Sequence, residues 1–171
     1  MNRLIAIIVT YNRSELLVQC IEALLLQSYK EFDILIVDNN STDDTFDRIS
    51  DYISDKKIIY ENTGANLGGA GGFNYGIRYA YELGYDYFWL MDGDTISSPS
   101  ALQELLRGAN EKNEEFGYLV SKALWTDGSL CKMNIPHPVD KGILIKENTS
   151  DTVQINRATF VSFLVPRFSH L

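Results

Sequence analysis

The stretch Leu4-Ile5-Ala6-Ile7-Ile8-Val9-Thr10-Tyr11-Asn12-Arg13 decides the fold. Its apolar part runs without alternation, which is how a strand buried on both faces of a parallel sheet reads, and Tyr11-Asn12-Arg13 ends it. Ser14 stands where a helix cap is needed, ahead of Leu16, Leu17, Cys20, Ile21, Leu24 and Leu25 at helical spacing. A second apolar strand over residues 32–37 stops at Asp38, and Ser41-Thr42-Asp43-Asp44 offers caps to a helix with Phe46, Ile49 and Ile53 on one stripe. Residues 57–60 predict a shorter strand and residues 62–72 a loop and helix entry rich in Gly and Asn. A helix over residues 71–83 turns Phe73, Ile77 and Ala80 inward and stops at Gly84. A strand over residues 86–91 then runs into Asp92-Gly93-Asp94, and Ser98-Pro99 opens a helix with Leu102, Leu105 and Leu106 as its stripe.

Strand and helix alternate four times to about residue 112, which predicts an α/β fold with right-handed crossovers and a mostly parallel sheet flanked by helices. Beyond it the pattern becomes mixed. Residues 116–124 read as a strand, Asp127-Gly128 as a hairpin turn, residues 134–150 as a long loop with two prolines, and residues 158–165 as a strand.

With 171 residues, 45% of them hydrophobic, the chain can bury one sizeable core, so a single domain is expected. A net charge of −8 disfavours nucleic acid as a partner, because phosphate neutralisation needs clustered Lys and Arg. No apolar run reaches the roughly eighteen residues that span a bilayer, and residues 4–9 are too few for a signal-peptide core; a cytoplasmic protein is expected, attached to a membrane at most peripherally, at its inner face. Cys20 and Cys131 lack metal or redox spacing, and Cys20 on an apolar helical face reads as a buried free thiol. His137 and His170 have no partner spacing, and His137, between two prolines, reads as a surface residue.

Chemistry gathers where strands end. Asp92 and Asp94, one residue apart after a buried strand, suit a divalent cation that joins carboxylates to substrate phosphates, Mg²⁺ or Mn²⁺; acids in that place also cap helices. Tyr11 can stack on a base, where an aromatic face contributes about 1–3 kcal/mol, or cap the sheet edge. Asp38 can accept from a base imide or a ribose hydroxyl, hold an Asx turn over Asn39-Asn40-Ser41, or both; Asp43 and Asp44 read as helix caps. The run Gly68-Gly69-Ala70-Gly71-Gly72 permits close backbone approach to an anion at a helix start, though a structural turn fits glycine equally. A Rossmann fingerprint fails because Asn74 stands where its third Gly belongs, and no P-loop or calcium-loop pattern exists. A phosphohydrolase with Asp92 as nucleophile fails too, since Thr95 is adjacent to the second acid rather than two residues on.

Four segments together resemble a known family, the inverting family 2 glycosyltransferases with the Rossmann-like GT-A fold. They are Val9-Thr10-Tyr11-Asn12-Arg13, Val37-Asp38-Asn39-Asn40-Ser41-Thr42-Asp43, Asn66-Leu67-Gly68-Gly69-Ala70-Gly71-Gly72-Phe73 and Leu90-Met91-Asp92-Gly93-Asp94, in the family's order and separation. The resemblance implies a nucleotide-diphosphate sugar in the crevice, with Thr10, Tyr11 and Asp38 around base and ribose. Asn12 and Arg13 flank them, and Arg13 or Arg78 adds charge. Asn66, Gly68, Gly69 and Gly72 form the diphosphate and ribose wall, and Asp92 and Asp94 the metal-binding Asp-x-Asp motif. The glycine run and Trp-Leu-Met-Asp-x-Asp are most similar to galactofuranosyl- and rhamnosyl-transferases, which implies UDP-galactofuranose or dTDP-rhamnose as donor, a glycan or lipid-linked acceptor, and a role in cell-wall or surface polysaccharide synthesis. Gly93 departs from the three consecutive aspartates frequent in galactofuranosyl members.

A second departure concerns the catalytic base. In the family it is an Asp or Glu downstream of a strand resembling residues 160–166, and nothing acidic follows Asp151 here. The expectation is a donor-binding part over residues 1–112, an incomplete acceptor-side part over residues 113–171, and a base beyond Leu171, so that the chain binds nucleotide and metal but transfers sugar poorly. The alternative is a noncatalytic nucleotide-sugar-binding or regulatory module.

Overall fold

The computed structural model describes residues 2–111, 116–140 and 152–167. Strands β1 (Leu4–Thr10), β2 (Asp33–Asp38), β3 (Ile59–Asn62) and β4 (Tyr87–Asp92) alternate with helices α1 (Ser14–Leu25), α2 (Thr45–Ser54), α3 (Gly68–Glu82) and α4 (Ala101–Glu111). Short strands β5 (Leu119–Val120), β6 (His137–Pro138), β7 (Ile155–Arg157) and β8 (Phe163–Pro166) follow. The main sheet has the order β3-β2-β1-β4-β8-β5; β1 to β4 are parallel, and β8 runs antiparallel to both neighbours. This is the α/β architecture read from the sequence. Among the described residues no helix is long and apolar enough to cross a membrane.

The unbroken apolar run of β1 is explained by what covers it. Leu4, Ala6 and Ile8 join Leu17, Ile21, Ile49, Trp89 and Leu102 in the core beneath α1, α2 and α4, whereas Ile5, Ile7 and Val9 join Val37, Phe73 and Ala80 beneath α3. Every residue of β1 is therefore buried, and alternation has no solvent face to record.

Helix α3 starts at Gly68, three residues before the expected 71, and its glycines explain how it packs. A Cβ on Gly72 would lie 2.6 Å from Val9 Cγ1, and one on Gly76 2.6 Å from Ile7 Cγ2 and 3.0 Å from Val37 Cγ2. The helix backbone thus rests directly on β1 and β2, an approach that outweighs the poor helix propensity of glycine. The strand expected over 57–60 lies at Ile59–Asn62, two residues later.

The stripes of α1 and α2 are narrower than their spacing suggested: Leu16 and Phe46 are exposed, Phe46 meeting Tyr60 edge-on at 5.2 Å. Ser14 is the first helical residue rather than the cap, and its hydroxyl donates to Asp44 Oδ1 at 2.6 Å. Helix α4 begins at Ala101, not at Ser98-Pro99, because Gln27 dictates its entry. Fully buried, Gln27 accepts from the Leu102 amide at 3.1 Å and donates from Nε2 to the Ser98 carbonyl at 2.7 Å. Gln27→Leu would leave the Leu102 amide unpartnered, at a cost of about 1–3 kcal/mol, and take from the Ser98 carbonyl one of two donors, the other being the Ala101 amide. We expect a loss of about 2 kcal/mol in urea unfolding, whereas an unchanged midpoint would deny Gln27 this role.

In the mixed part, the strand expected over 116–124 shrinks to Leu119–Val120, with a single bridge from Leu124 to Leu130 around the Asp127-Gly128 turn. That turn forms as read, with Gly128 at φ +83° and Asp127 Oδ1 accepting from the Ser129 amide. Of the strand expected over 158–165 only residues 163–165 are extended, within β8 in the main sheet, while β7, paired with β6, ends just before residue 158. Ser162, at φ +69°, precedes β8, and its hydroxyl accepts from Trp89 Nε1 at 3.0 Å while donating to Ser121 Oγ at 2.9 Å. A buried indole N–H needs an acceptor, which gives this unusual backbone a use. His137 is exposed as expected, both cysteines are buried free thiols, and burial with the nearby Asp94 charge pushes the Cys20 thiol up to about 12. Of the loop expected over 134–150, residues 141–150 lie outside the described residues, as does His170.

Candidate functional site

The connection from β1 to β2 leaves on one side of β1, while β4 pairs on the other, so the sheet changes direction between β1 and β4. The carboxyl ends of strands at such a point form the crevice where open α/β sheets hold ligands. A cleft of about 410 Å³ lies there, and all four segments singled out in the sequence reach it. Thr10, Tyr11 and Arg13 come from the end of β1 and the loop after it, Asn66, Gly68 and Gly69 from the entry to α3, and Asp92 and Asp94 from the end of β4 and the turn after it. Val9, Asn39 and Gly93 complete the lining.

Three of the expected site residues stand behind the cleft rather than in it. Gly72 is buried against Val9 and Asn39 as a packing residue. Asn12, at φ +51°, ties two loops together: its amide donates to Ser41 Oγ at 2.9 Å and its Oδ1 accepts from the Thr42 amide at 2.7 Å. Asp38 is 1% exposed and holds the Asx turn, with Oδ1 accepting from the Ser41 amide and Oδ2 from the Tyr60 hydroxyl, both at 2.8 Å. Burial above all, with the Asp38 carboxylate behind it and Asn62 opposing, raises the Tyr60 phenol to about 12. Asp43 Oδ1 accepts from the Thr45 amide at 3.1 Å, and Asp44 receives Ser14 and Arg48, so both acids serve the start of α2. Arg78 is exposed and does not line the cleft.

The floor carries the most unusual chemistry. Thr10 and Asn39 are 3% and 2% exposed, yet Thr10 Oγ1 and Asn39 Oδ1 have no hydrogen-bond partner among the described residues. Asn39 Nδ2 donates to the Gly68 carbonyl at 3.1 Å, fixing the start of α3 across the cleft. Asn66 Oδ1 accepts from the Gly68 amide at 2.9 Å, and Tyr11 presents its ring at the rim, 41% exposed. Asn39 was missed as a candidate. The available signal was its place, a second polar residue directly after a buried strand at the edge that binds ligands.

On the opposite wall, β4 ends in a tight turn in which the Gly93 amide donates to the Val9 carbonyl at 2.9 Å and Thr95 to the Asp92 carbonyl at 3.0 Å. A Cβ at Gly93 would lie 3.1 Å from Thr10 Oγ1 and 3.2 Å from the Val9 carbonyl oxygen, which is a local reason for glycine between the acids. The Asp92 carboxyl is raised above its ordinary range by burial first and the Asp94 charge second, with Arg13 pulling the other way. Arg13 forms an ion pair with Asp94 at the rim. No cluster of three or more Asp, Glu, His or Cys occurs among the described residues, so a metal here would take two protein carboxylates and fill its other positions from ligand and water.

The chain is similar in sequence and fold to known proteins. Galactofuranosyltransferase GlfT1 of Mycolicibacterium smegmatis is 35% identical over 91 residues, 52% of this chain and 29% of that protein. Two solved structures share the fold: a UDP complex of S. aureus TarS and a complex of the mannosyltransferase PcManGT from Pyrobaculum calidifontis with GDP-Man and Mn²⁺. The first has TM-score 0.65 and 21% identity over 82% of this chain and 40% of its own, the second 0.59 and 18% over 71% and 35%. The chain thus spans less than half the length of each protein. Residues 5–120, which hold all four segments, match the family model described as Glycosyl transferase family 2, and the chain belongs to that family.

Proposed function

We propose that the cleft binds the nucleotide diphosphate of a sugar donor, and that the chain serves transfer of that sugar, with inversion, to a glycan or lipid-linked acceptor. The observation that carries this reading is the pair of unpartnered acceptors on the floor, Thr10 Oγ1 and Asn39 Oδ1. Leaving a buried polar atom unpaired costs about 1–3 kcal/mol, and a ligand hydroxyl or imide would relieve it. Tyr11 is the platform for the base. Asp38, held by Ser41 and Tyr60 behind the cleft, fixes the loop carrying Asn39. The first turn of α3, from Gly69 on, faces the diphosphate, while the Gly68 amide is taken by Asn66, which shapes that turn.

Asp92 and Asp94 fit a hard divalent cation, Mg²⁺ or Mn²⁺, by the chemistry of their oxygens and because burial, and after it the Asp94 charge, disfavours an uncompensated Asp92 carboxylate. When bound, such an ion would stabilise negative charge on the departing nucleotide. The named donors of the similar proteins support the class, and GlfT1 favours UDP-galactofuranose, with dTDP-rhamnose as the second donor to test.

Thr10→Val tests the floor. It removes the hydroxyl at nearly constant shape, so we expect unliganded stability to hold or rise while UDP affinity falls about tenfold, the worth of roughly one hydrogen bond. Thermal denaturation with and without UDP reads both effects, and unchanged UDP stabilisation in the variant would contradict the reading.

A further inference from the structure

We propose that Arg13 and a divalent cation compete for Asp94, so that the chain takes its metal together with a nucleotide diphosphate rather than ahead of it. This inference rests on the donor-site reading above. Arg13 is the one positively charged residue among the described residues lining the cleft, and its guanidinium sits on the Asp94 carboxylate. A metal bound there would take the same oxygens and place its charge beside the guanidinium. Arg13 therefore has to leave.

The structure lets it leave without unravelling the loop. The Arg13 carbonyl accepts from the Leu17 amide at 3.0 Å, and Asn12 is pinned by Ser41 and Thr42, so the backbone is fixed. The side chain is 57% exposed and that of Asp94 41%, so the pair lies at the rim, where a long side chain can swing. Unaccompanied metal gives the displaced guanidinium no new anion. A nucleotide diphosphate does, because a planar guanidinium donates two parallel hydrogen bonds to phosphate oxygens. Arg13 thus opposes metal alone and favours metal with nucleotide, which is a positive coupling between the two ligands and is reciprocal by thermodynamic necessity.

The test is a Mn²⁺ titration followed by electron paramagnetic resonance of the free ion, with and without UDP, on the wild type and on Arg13→Gln, Arg13→Lys and Asp94→Asn. UDP should tighten Mn²⁺ binding to the wild type more than tenfold. Arg13→Gln should bind Mn²⁺ alone about two- to fivefold more tightly, the range set by losing an exposed ion pair, while its enhancement by UDP shrinks about tenfold. Arg13→Lys, which keeps the charge without the fork, should fall between, and it stands in if Arg13→Gln does not fold. If the wild type and Asp94→Asn differ as a metal site requires but the Arg13 variants match the wild type with Mn²⁺ alone and with UDP, the competition is overturned and the donor site stands. If the wild type shows neither UDP nor Mn²⁺ binding, both fall.

Discussion

Trp89→Ala is expected to lower the unfolding free energy by about 3–5 kcal/mol, the usual range for deleting a fully buried aromatic ring. Trp89 is 0% exposed at the centre of β4 and meets Phe32 edge-on at 6.2 Å, within the core that α1, α2 and α4 share. Its indole N–H also ties β4 to the C-terminal part through the Ser162 hydroxyl, so truncation removes a packing element and takes from Ser162 one of its two hydrogen bonds. Domains are stable by only about 5–15 kcal/mol, so this one change consumes a large share. Urea unfolding followed by fluorescence of the remaining Trp125 and by circular dichroism measures it, and a loss below 1 kcal/mol would mean that β4 and β8 are not joined as described. Trp89→Phe should retain most of the packing and lose mainly the hydrogen-bonded chain, separating the two contributions.

The second large effect concerns ligand binding. With UDP at a hundredfold excess over its dissociation constant, stabilisation reaches about 2.7 kcal/mol, or roughly 5–10 °C in melting temperature for a domain of this size. Replacing both Asp92 and Asp94 by Asn should abolish the part of that shift that depends on Mn²⁺, while the part owed to base and ribose contacts persists. The sign reverses without ligand. Asp92 has a raised pKa in the folded chain, chiefly from burial, so its ionisation disfavours the fold. The stability that its neutral form preserves is fully present below the unfolded pKa and is lost as pH rises through the folded one. Asp92→Asn should therefore be more stable than the wild type at neutral pH without ligand and equal to it in acid, a comparison made by thermal denaturation at the two pH values. A variant less stable than the wild type at neutral pH would contradict the burial of that charge.

How much could be read in advance followed the length of each pattern. The runs now seen as β1, β2 and β4 are apolar throughout because helices cover both faces of the sheet, and that density of hydrophobic residues is unmistakable. Their carboxyl ends put Thr10, Tyr11, Asp92 and Asp94 at the edge of the sheet where the cleft lies. The glycines misled in part: Gly72 was read as a ligand contact when its role is to let α3 rest on Val9, because a missing side chain looks alike whether a ligand or a strand approaches it. The C-terminal strands were misjudged for another reason. Ser162 adopts positive φ to meet the indole of a residue far away in sequence, and no local pattern encodes a tertiary hydrogen bond. Gln27 belongs to the same class, a polar side chain inside the core whose purpose is set by a loop reached only after folding.

We propose that four separate segments build one site for a nucleotide diphosphate and its metal. Paramagnetic broadening of backbone amide signals by Mn²⁺ in the presence of UDP tests it most directly. The predicted result is UDP-enhanced loss of signal at Thr10, Tyr11, Asn39, Gly68, Gly69, Gly93 and Asp94 together, with Arg3, Gly84 and Asp86 at the opposite edge of the sheet remaining sharp. Broadening that spares any one of the four segments, or that centres on the opposite edge, would contradict it.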